Sequence, residues 1–493
     1  MRWPSLSIIE RLFGSGKKPQ NIIWICADDY APAVSGSFGS PVASTPNLDR
    51  LAADGIRFDR AYCACPLSTP SRMAFLTGRY PRSVGVTLTP TPLPLDERTI
   101  GHLLREAGYE TAAFGKTHYY DPLSREFDKC VDMPEHRDYL ESLTPRRIPA
   151  GVNILGPWRP FNDPASVWLN ADCLPYRYDV EMPDTFFVEN AVQYLSEKRN
   201  EPFFLWIGFF VTHSPFRFPI EFKSLFRPDE FAVPEVDPND EPHIPPVFRD
   251  LTHQEKQGII AAYHTSVAYM DRNVGWILKA LEQAGLVDDT LVIFNSDHGY
   301  LLGEHGRFEK HCCYEEAVRS ALIMRYPELI APGRCASQLV ELIDIVPTIL
   351  DLCGIKIPSN IQGRSLARII KGEAVGHREH IISEYADNAE AMVRTDRWKL
   401  IHSAGNRRRR DGYATSPVPP GPSTRLFHLT EDTSELHDVS NLTENREIGG
   451  HLINVLVSHV KLTARNPGMI PETNDPMAIL EQALLPVEAR KHR

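Results

Sequence analysis

Asn21-IIWICA-Asp28-Asp29 is an unbroken apolar run that ends in two carboxylates. A run with no polar alternation predicts a strand covered on both faces, as strands of parallel sheets are. Leu291-VIFN, closing at Ser296-Asp297-His298-Gly299, repeats the pattern, and Glu201-PFFLWIGFF, TAAFG before Lys116 and Ala321-LIMRY add further strands. Helical patterns lie between them. Thr45-Pro46 reads as an N-cap and first-turn proline, Arg98 to Ala107 stops at Gly108, and Ile343-DIVPTILDLCG follows the last strand. Thr252-His-Gln-Glu255 is a capping box opening a helix to about Gly285. The alternation predicts an α/β fold: a large domain with a mostly parallel central sheet sandwiched by helices.

Ligands of open α/β sheets bind beyond the carboxyl ends of the strands. Asp28-Asp29 and Asp297-His298 close two such strands. Paired carboxylates repel unless a cation neutralises them, and a hard divalent ion such as Ca²⁺ or Mg²⁺ takes oxygen ligands. Each acid pair alone is equally readable as a helix cap.

The 493 residues imply two to four domains. With 53 basic and 64 acidic side chains the net charge is −11, so nothing draws the chain as a whole to nucleic acid, and an anionic substrate would need a local basic cluster. No apolar stretch approaches the roughly 20 residues of a membrane span. The opening MRWPSLSIIERLFGSGKK is interrupted by Glu10 and Arg11 and reads as a surface helix, which places the protein in the cytoplasm, with the periplasm or export as second choice. The nine cysteines lack framework or zinc spacing and are expected as reduced thiols. We divide the chain into an extension over 1–20, a catalytic domain over 21–376 and a C-terminal α+β subdomain over 377–493. That subdomain holds short strands (IISEYA, AMVRT, RWKLIHS, RLFHL), a helix at Leu452-INVLVSHVKLTA and a draped or loose tail after about Pro467. Residues 121–183 and 217–250 are irregular and read equally as lids and binding walls or as plain surface loops.

Ser68-Thr-Pro-Ser-Arg72-MAF-Leu76-Thr-Gly-Arg79 carries the most specific signal. It resembles the type I sulfatase signature: Cys or Ser, any residue, Pro-Ser-Arg, three residues, Leu-Thr-Gly. The resemblance extends in order over nearly the whole chain and implies an alkaline-phosphatase-like fold. It also implies a nucleophile at Ser68 oxidised to formylglycine, and a metal, usually Ca²⁺, held by Asp28, Asp29, Ser68, Asp297 and His298. His298 stands where the family often has asparagine, which leaves Mn²⁺ or Mg²⁺ open. Lys116 and His118 in Gly115-Lys-Thr-His, His213 in Thr212-His-Ser-Pro, and Lys310 match further family positions. By the same resemblance Arg72, Lys116 and Lys310 supply positive charge, His118 acts as base in the release of sulfate, and His213 or Lys310 protonates the leaving oxygen. A serine at position 68 implies a serine-type sulfatase-maturating enzyme as partner, since the aerobic cysteine route would not serve.

The expected activity is hydrolysis of a sulfate ester on a sulfated small molecule or glycan. The alternatives are a phosphonate monoester or phosphodiester hydrolase of the same superfamily, and a non-catalytic glycan-binding relative with unmodified Ser68. Asn406-Arg-Arg-Arg-Arg410 is either a solvated loop or a reader of further anionic groups, through Arg408 and Arg409. On the second reading, Arg408→Ala and Arg409→Ala raise KM for a polysulfated glycan and spare a small aryl sulfate. Equal effects on both substrates in steady-state kinetics reject it.

Overall fold

The computed structural model describes residues 18–119, 126–156, 168–373, 376–405 and 422–488. Eight strands form the central sheet: β1 (Asn21–Ala27), β2 (Ile56–Phe58), β4 (Glu110–Gly115), β5 (Lys129–Val131), β6 (Phe203–Gly208), β7 (Thr290–Ser296), β9 (Leu322–Arg325) and β10 (Arg334–Ala336). Their order is β10-β2-β9-β7-β1-β6-β4-β5, and β9 alone runs against its neighbours. The sheet is therefore mixed but mostly parallel. A small sheet combines β3 (Ala61–Tyr62), β8 (Arg319–Ser320) and β11 (Val340–Glu341). The C-terminal part is an antiparallel meander of β12 (Ile381–Tyr385), β13 (Glu390–Arg394), β14 (Trp398–Ser403) and β15 (Ser423–His428).

Helices cover both faces of the central sheet. Ile22, Trp24 and Cys26 of β1 point into one apolar layer, and Ile23, Ile25 and Ala27 into the other. This double burial is why the run lacks alternation. The helix α1 (Pro46–Ala53), α2 (Ser68–Thr77), α3 (Ile100–Glu106), α4 (Met133–Ser142), α5 (Pro183–Ser196), α6 (His253–Gln283), α7 (Ile345–Cys353), α8 (Arg446–Thr463) and α9 (Pro476–Ala483) follow in chain order. The expected capping box opens α6: Glu255 N–H reaches Thr252 Oγ1 at 3.2 Å, and Thr252 N–H reaches Glu255 Oε2 at 2.8 Å. All ten residues of α2 are buried. Phe75 of α2 sits 5.6 Å from Trp24 and 6.2 Å from Trp206, ring centre to ring centre, which clamps this helix under β1 and β6. Aromatic pairs of this kind add about 0.5–1.5 kcal/mol beyond the area they bury. Gly78, at φ 68°, ends the helix in the left-handed conformation that glycine adopts without strain.

Several local expectations change. Thr45 does not cap α1; its Oγ1 accepts from Gly36 and donates to Asp49, and the N–H groups of Asn47 and Leu48 go to the Asp271 carboxylate on α6. A cap supplied from 224 residues away leaves no local pattern. The 121–183 stretch contains an edge strand, β5, and a capped helix, α4, while 217–250 stays largely irregular, broken by short 3-10 turns and one helical turn at Pro246–Arg249. The tail beyond Pro467 is draped rather than loose: α9 buries Ile479, Leu480 and Ala483 against the C-terminal core, and the Glu488 carboxylate accepts from the N–H groups of Thr87 and Leu88. The nine cysteines are free thiols. Among the described residues no helix is long and apolar enough to cross a membrane. The N-terminal segment through residue 17, and Arg408 and Arg409, lie outside the described residues.

The C-terminal meander is fastened to the large domain through a buried carboxylate. Glu384 on β12 pairs with Arg82 and accepts from His459 Nε2 of α8 at 3.0 Å. Burial opposes its ionisation, but the charges of Arg82 and His459 outweigh that and hold Glu384 at about 2. A carboxyl group depressed from an ordinary 4.5 stabilises the fold above that pH and loses the contribution as pH falls toward 2. Glu384→Gln should therefore cost about 3 kcal/mol at pH 7. The gap between variant and wild type in denaturant titrations should narrow below about pH 4.5; a gap independent of pH would contradict this.

Candidate active site

The central strands β7, β1, β6 and β4 are neighbours, and their carboxyl ends deliver the polar residues to one edge. The backbone ladder continues past the strands: Asp297 N–H reaches Ala27 O at 3.1 Å, and Thr212 N–H reaches Asp28 O at 2.8 Å. Asp28 and Asp29 leave β1, Asp297 and His298 leave β7, Lys116 and His118 leave β4, and His213 lies on the exit of β6. Gly208 allows β6 to approach β4 here, because a Cβ would stand 1.9 Å from the Lys116 carbonyl oxygen. The N-terminus of α2 adds Ser68, and Lys310 comes from the loop after β7.

Ser68 is 4% exposed, and its Oγ lies 3.0 Å from Asp28 Oδ1 and 3.1 Å from His298 Nε2. Arg72, one turn on, is fully buried. Its Nε donates to Asp297 Oδ2 at 3.0 Å, Nη1 to the Lys116 carbonyl at 3.0 Å, and Nη2 to Asp28 Oδ1 at 3.3 Å. Lys116 Nζ pairs with Asp28, and Lys310 Nζ with Asp29. Thr69 Oγ1 lies 3.4 Å from His118 Nδ1. His213 turns Nδ1 to the Ser214 carbonyl at 2.6 Å and stands close enough to Lys310 and Asp29 to feel their charges. The structure thus gathers every sequence-predicted site residue except Arg408 and Arg409, which it does not describe.

The electrostatics are those of a crowded buried cluster. Burial disfavours the Asp28 anion, but Lys116 and Arg72 hold it well below the usual carboxylate range. Asp29 is lowered against burial by Lys310. For Asp297, burial and then Asp28 win over Arg72 and push it up to about 7. Burial and Lys310 pull His298 down to about 3, and burial and Lys310 pull His213 to about 4. His118 is lowered well below its ordinary value by burial and by Lys116. Lys310 is raised, Asp29 outweighing the burial that would neutralise it.

These residues fit a divalent cation. Asp28, Asp29, Asp297 and His298 place one ligand atom each within 4.8 Å of one another. Asp29 Oδ2 is buried without a hydrogen-bond partner, a state that costs about 1–3 kcal/mol or more for a charged oxygen. Asp297 is raised by burial first and by the neighbouring Asp28 anion second, and a cation beside it would favour its charged form. His298 Nδ1 lies 2.9 Å from the Gly299 carbonyl oxygen, which can only accept. Nδ1 therefore carries the proton, and Nε2 turns a lone pair to the cluster, as metal-binding histidines do.

Three supports escaped the sequence. Tyr263 of α6 donates to the Asp29 carbonyl oxygen, and Ala31 N–H donates to Tyr263 Oη at 2.8 Å. Thr212 Oγ1 lies 3.2 Å from the carbonyl oxygens of both Asp28 and Asp29. Together they hold Asp29 in the left-handed conformation, φ 57°. Asp184 accepts from the N–H groups of Phe210 and Val211 and so fixes the turn leading to His213. Tyrosine, threonine and aspartate in a helix or loop carry no local signal of such service.

A family model described as "Sulfatase" matches residues 20–355, and one described as "N-sulphoglucosamine sulphohydrolase, C-terminal" matches residues 303–461. An N-acetylglucosamine-6-O-sulfatase of Bacteroides thetaiotaomicron is 28% identical over 457 residues, covering 78% of this chain and 78% of that protein. Among solved structures, a protein in complex with its substrate D-glucosamine-2-N,6-O-disulfate superposes with a TM-score of 0.73 at 23% identity, over 94% of this chain and 99% of its own. The phosphonate monoester hydrolase of Agrobacterium radiobacter gives 0.75 at 22% identity, over 93% and 98%. The two structures share the fold alone, and it houses both names.

Cation binding is measurable without turnover. Adding Ca²⁺ or Mn²⁺ to chelator-stripped protein should raise its thermal midpoint, with about 2.7 kcal/mol of stabilisation at a hundredfold excess over Kd. Asp29→Asn and Asp297→Asn should lose the response, and a native protein indifferent to both ions would rule the site out.

Proposed function

The chain belongs to the sulfatase family, and from that premise we propose that it hydrolyses a sulfate ester on a carbohydrate with Ser68, matured to formylglycine, as nucleophile. The observation that carries the reading is Ser68 Oγ lying within 3.1 Å of both Asp28 and His298, inside the four-residue cluster. A hydroxyl is a weak nucleophile unless a base, a lowered pKa or a metal activates it. A divalent cation on Asp28, Asp29, Asp297 and His298 would supply Lewis acidity toward a sulfate oxygen and lower the pKa of a hydroxyl beside it. Removal of two hydrogens from Ser68 by a serine-type maturating enzyme would give an aldehyde. Its hydrate offers one hydroxyl to attack sulfur and a second whose deprotonation expels sulfate.

The chain's own residues then divide the work. Arg72, fixed by Asp297 and Asp28, holds the nucleophile's surroundings in place. Lys116 and Lys310 flank the cluster with positive charge where the sulfate oxygens gain negative charge. His118, kept neutral by burial and by Lys116, is suited to take the proton of the second hydroxyl. Lys310, kept charged by Asp29, is suited to give a proton to the leaving oxygen. His213, turned by Nδ1 toward a carbonyl and neutral, is better suited to position that oxygen. A sugar substrate is supported by the relative described as acting on N-acetylglucosamine and by the disulfated glucosamine of the similar structure.

Phosphonate monoester hydrolysis is the second reading, favoured by the fold shared with the Agrobacterium enzyme. Aryl sulfate turnover above aryl phosphonate turnover supports the first, and the reverse order the second. Peptide mass spectrometry across Ser68 should find a loss of two hydrogens in protein from its native host. Ser68→Ala should lower sulfate release by at least about 10³-fold, close to abolition. An unaltered rate in that variant would sink the mechanism.

A further inference from the structure

Two arginines on the segments beyond the β6 exit lack an ion pair among the described residues. Arg177 and Arg217 lie over the ring of Tyr176, 5.2 and 4.5 Å from its centre. Their segments are bound together by backbone: Tyr176 N–H to Phe218 O at 2.9 Å and Ile220 N–H to Arg177 O at 2.8 Å. Arg217 stands four residues after His213, on the segment that leaves the catalytic edge. Arg146 lies 5.5 Å over the neighbouring Tyr178, whose hydroxyl donates to the Arg147 carbonyl at 2.9 Å.

Among the described residues neither Arg177 nor Arg217 has a carboxylate within ion-pair distance, although the chain carries 64 acidic side chains. Arg217 Nε is buried with no hydrogen-bond partner. Burial pulls this guanidinium below its ordinary pKa and the like charge of Arg177 adds to that, while Tyr176 and the Asp184 carboxylate, beyond ion-pair distance, oppose the shift only in part. An arginine confined in this way is disfavoured twice, by lost hydration and by repulsion. Other buried arginines have polar partners: Arg72 pairs with Asp28 and Asp297, Arg82 with Glu384, Arg378 with Glu341 and Asp344, and Arg425 donates to the Tyr314 hydroxyl at 2.6 Å. An oxyanion from outside relieves both penalties, since a guanidinium offers two parallel N–H donors to a carboxylate or sulfate.

We infer that Arg177 and Arg217, backed by Tyr176, form a second oxyanion subsite beside the reacting centre, which reads a carboxylate or a further sulfate of the sugar substrate. The inference rests on the carbohydrate sulfatase reading and narrows it: the substrate carries at least two anionic groups, one cleaved and one recognised. It also supplies the local basic cluster that a chain of net charge −11 requires to hold an anion.

Binding calorimetry on the full chain tests it independently of turnover. The probes are glucosamine 6-O-sulfate, glucosamine-2-N,6-O-disulfate, and a disaccharide bearing one sulfate and one uronic acid. The native protein should bind at least one doubly charged probe about tenfold or more tightly than the monosulfate. Whichever it prefers identifies sulfate or carboxylate as the recognised group. Arg217→Ala and Arg177→Ala should each erase most of that preference, and Arg217→Lys, which keeps the charge and loses the fork, should fall between. No preference in the native protein, or an equal loss for all three probes, overturns the subsite. Circular dichroism identifies a variant that fails to fold, and the other substitutions then carry the comparison. Turnover of 4-nitrophenyl sulfate, followed in parallel, separates the two readings. Its absence with selective binding intact removes the catalytic proposal alone, and its presence without selectivity removes the subsite alone.

Discussion

Three carboxylates and three cations are buried within reach of one another at the carboxyl edge of the sheet: Asp28, Asp29 and Asp297 against Arg72, Lys116 and Lys310. Each of these ions, left alone in the interior, would cost several kcal/mol. None can be there without the others, so segments separated by up to 281 residues are obliged to meet. Arg72 does most of the joining. Its planar fork reaches the end of β1, the end of β7 and the backbone after β4 at once, which a lysine point charge could not. The six side chains cancel in formal charge. A divalent cation would then add charge that an anionic ester, and negative charge built in the transition state, would offset.

The sheet makes this meeting reproducible. Ala27 pairs with Ser296 in register, so Asp28 and Asp297 leave their strands at the same height. Gly115 pairs with Gly208, so Lys116 and the turn toward His213 leave together. Small shifts would be felt at once, because a one-residue slip reverses the face of every side chain on a strand. The double burial of Trp24, Ile25 and their neighbours prevents that slip. In this sense the apolar layers specify the polar site: they contribute no chemistry but fix the distances on which it depends.

How much of this was legible follows from where each signal lies. Strands covered on both faces announce themselves as unbroken apolar runs, and the acids that end them are visible in the same line. The serine motif and the Thr252–Glu255 capping box are likewise local patterns, and both were readable. The direction of β9 was not, because an apolar run has no polarity of its own. Strand β5 has three residues, too few for a period, and α9 was hidden among prolines and polar residues. Tyr263, Thr212 and Asp184 hold the site through backbone atoms of distant segments. Arg177 and Arg217 stand out by having neither an ion pair nor a hydrogen-bonded side-chain partner among the described residues, which is a property of space rather than of sequence.

The helix that bears Ser68 departs from the usual economy of helix ends. Its N-cap is Leu67, which has no side-chain oxygen to offer the first amides, and Pro70 in the first turn has no N–H. A serine, threonine or aspartate at that N-cap would stabilise the helix by about 1 kcal/mol. It would also place an oxygen over the positive end of the helix dipole, at the position where Ser68 begins. The stability that is forgone is recovered along the length of α2, through burial of all ten residues and the packing of Phe75 against Trp24 and Trp206. Packing from below thus leaves the helix terminus uncapped and directed at position 68. Negative charge developing there meets the positive end of a dipole held rigid by the core, and needs no reorganisation of the protein to be stabilised.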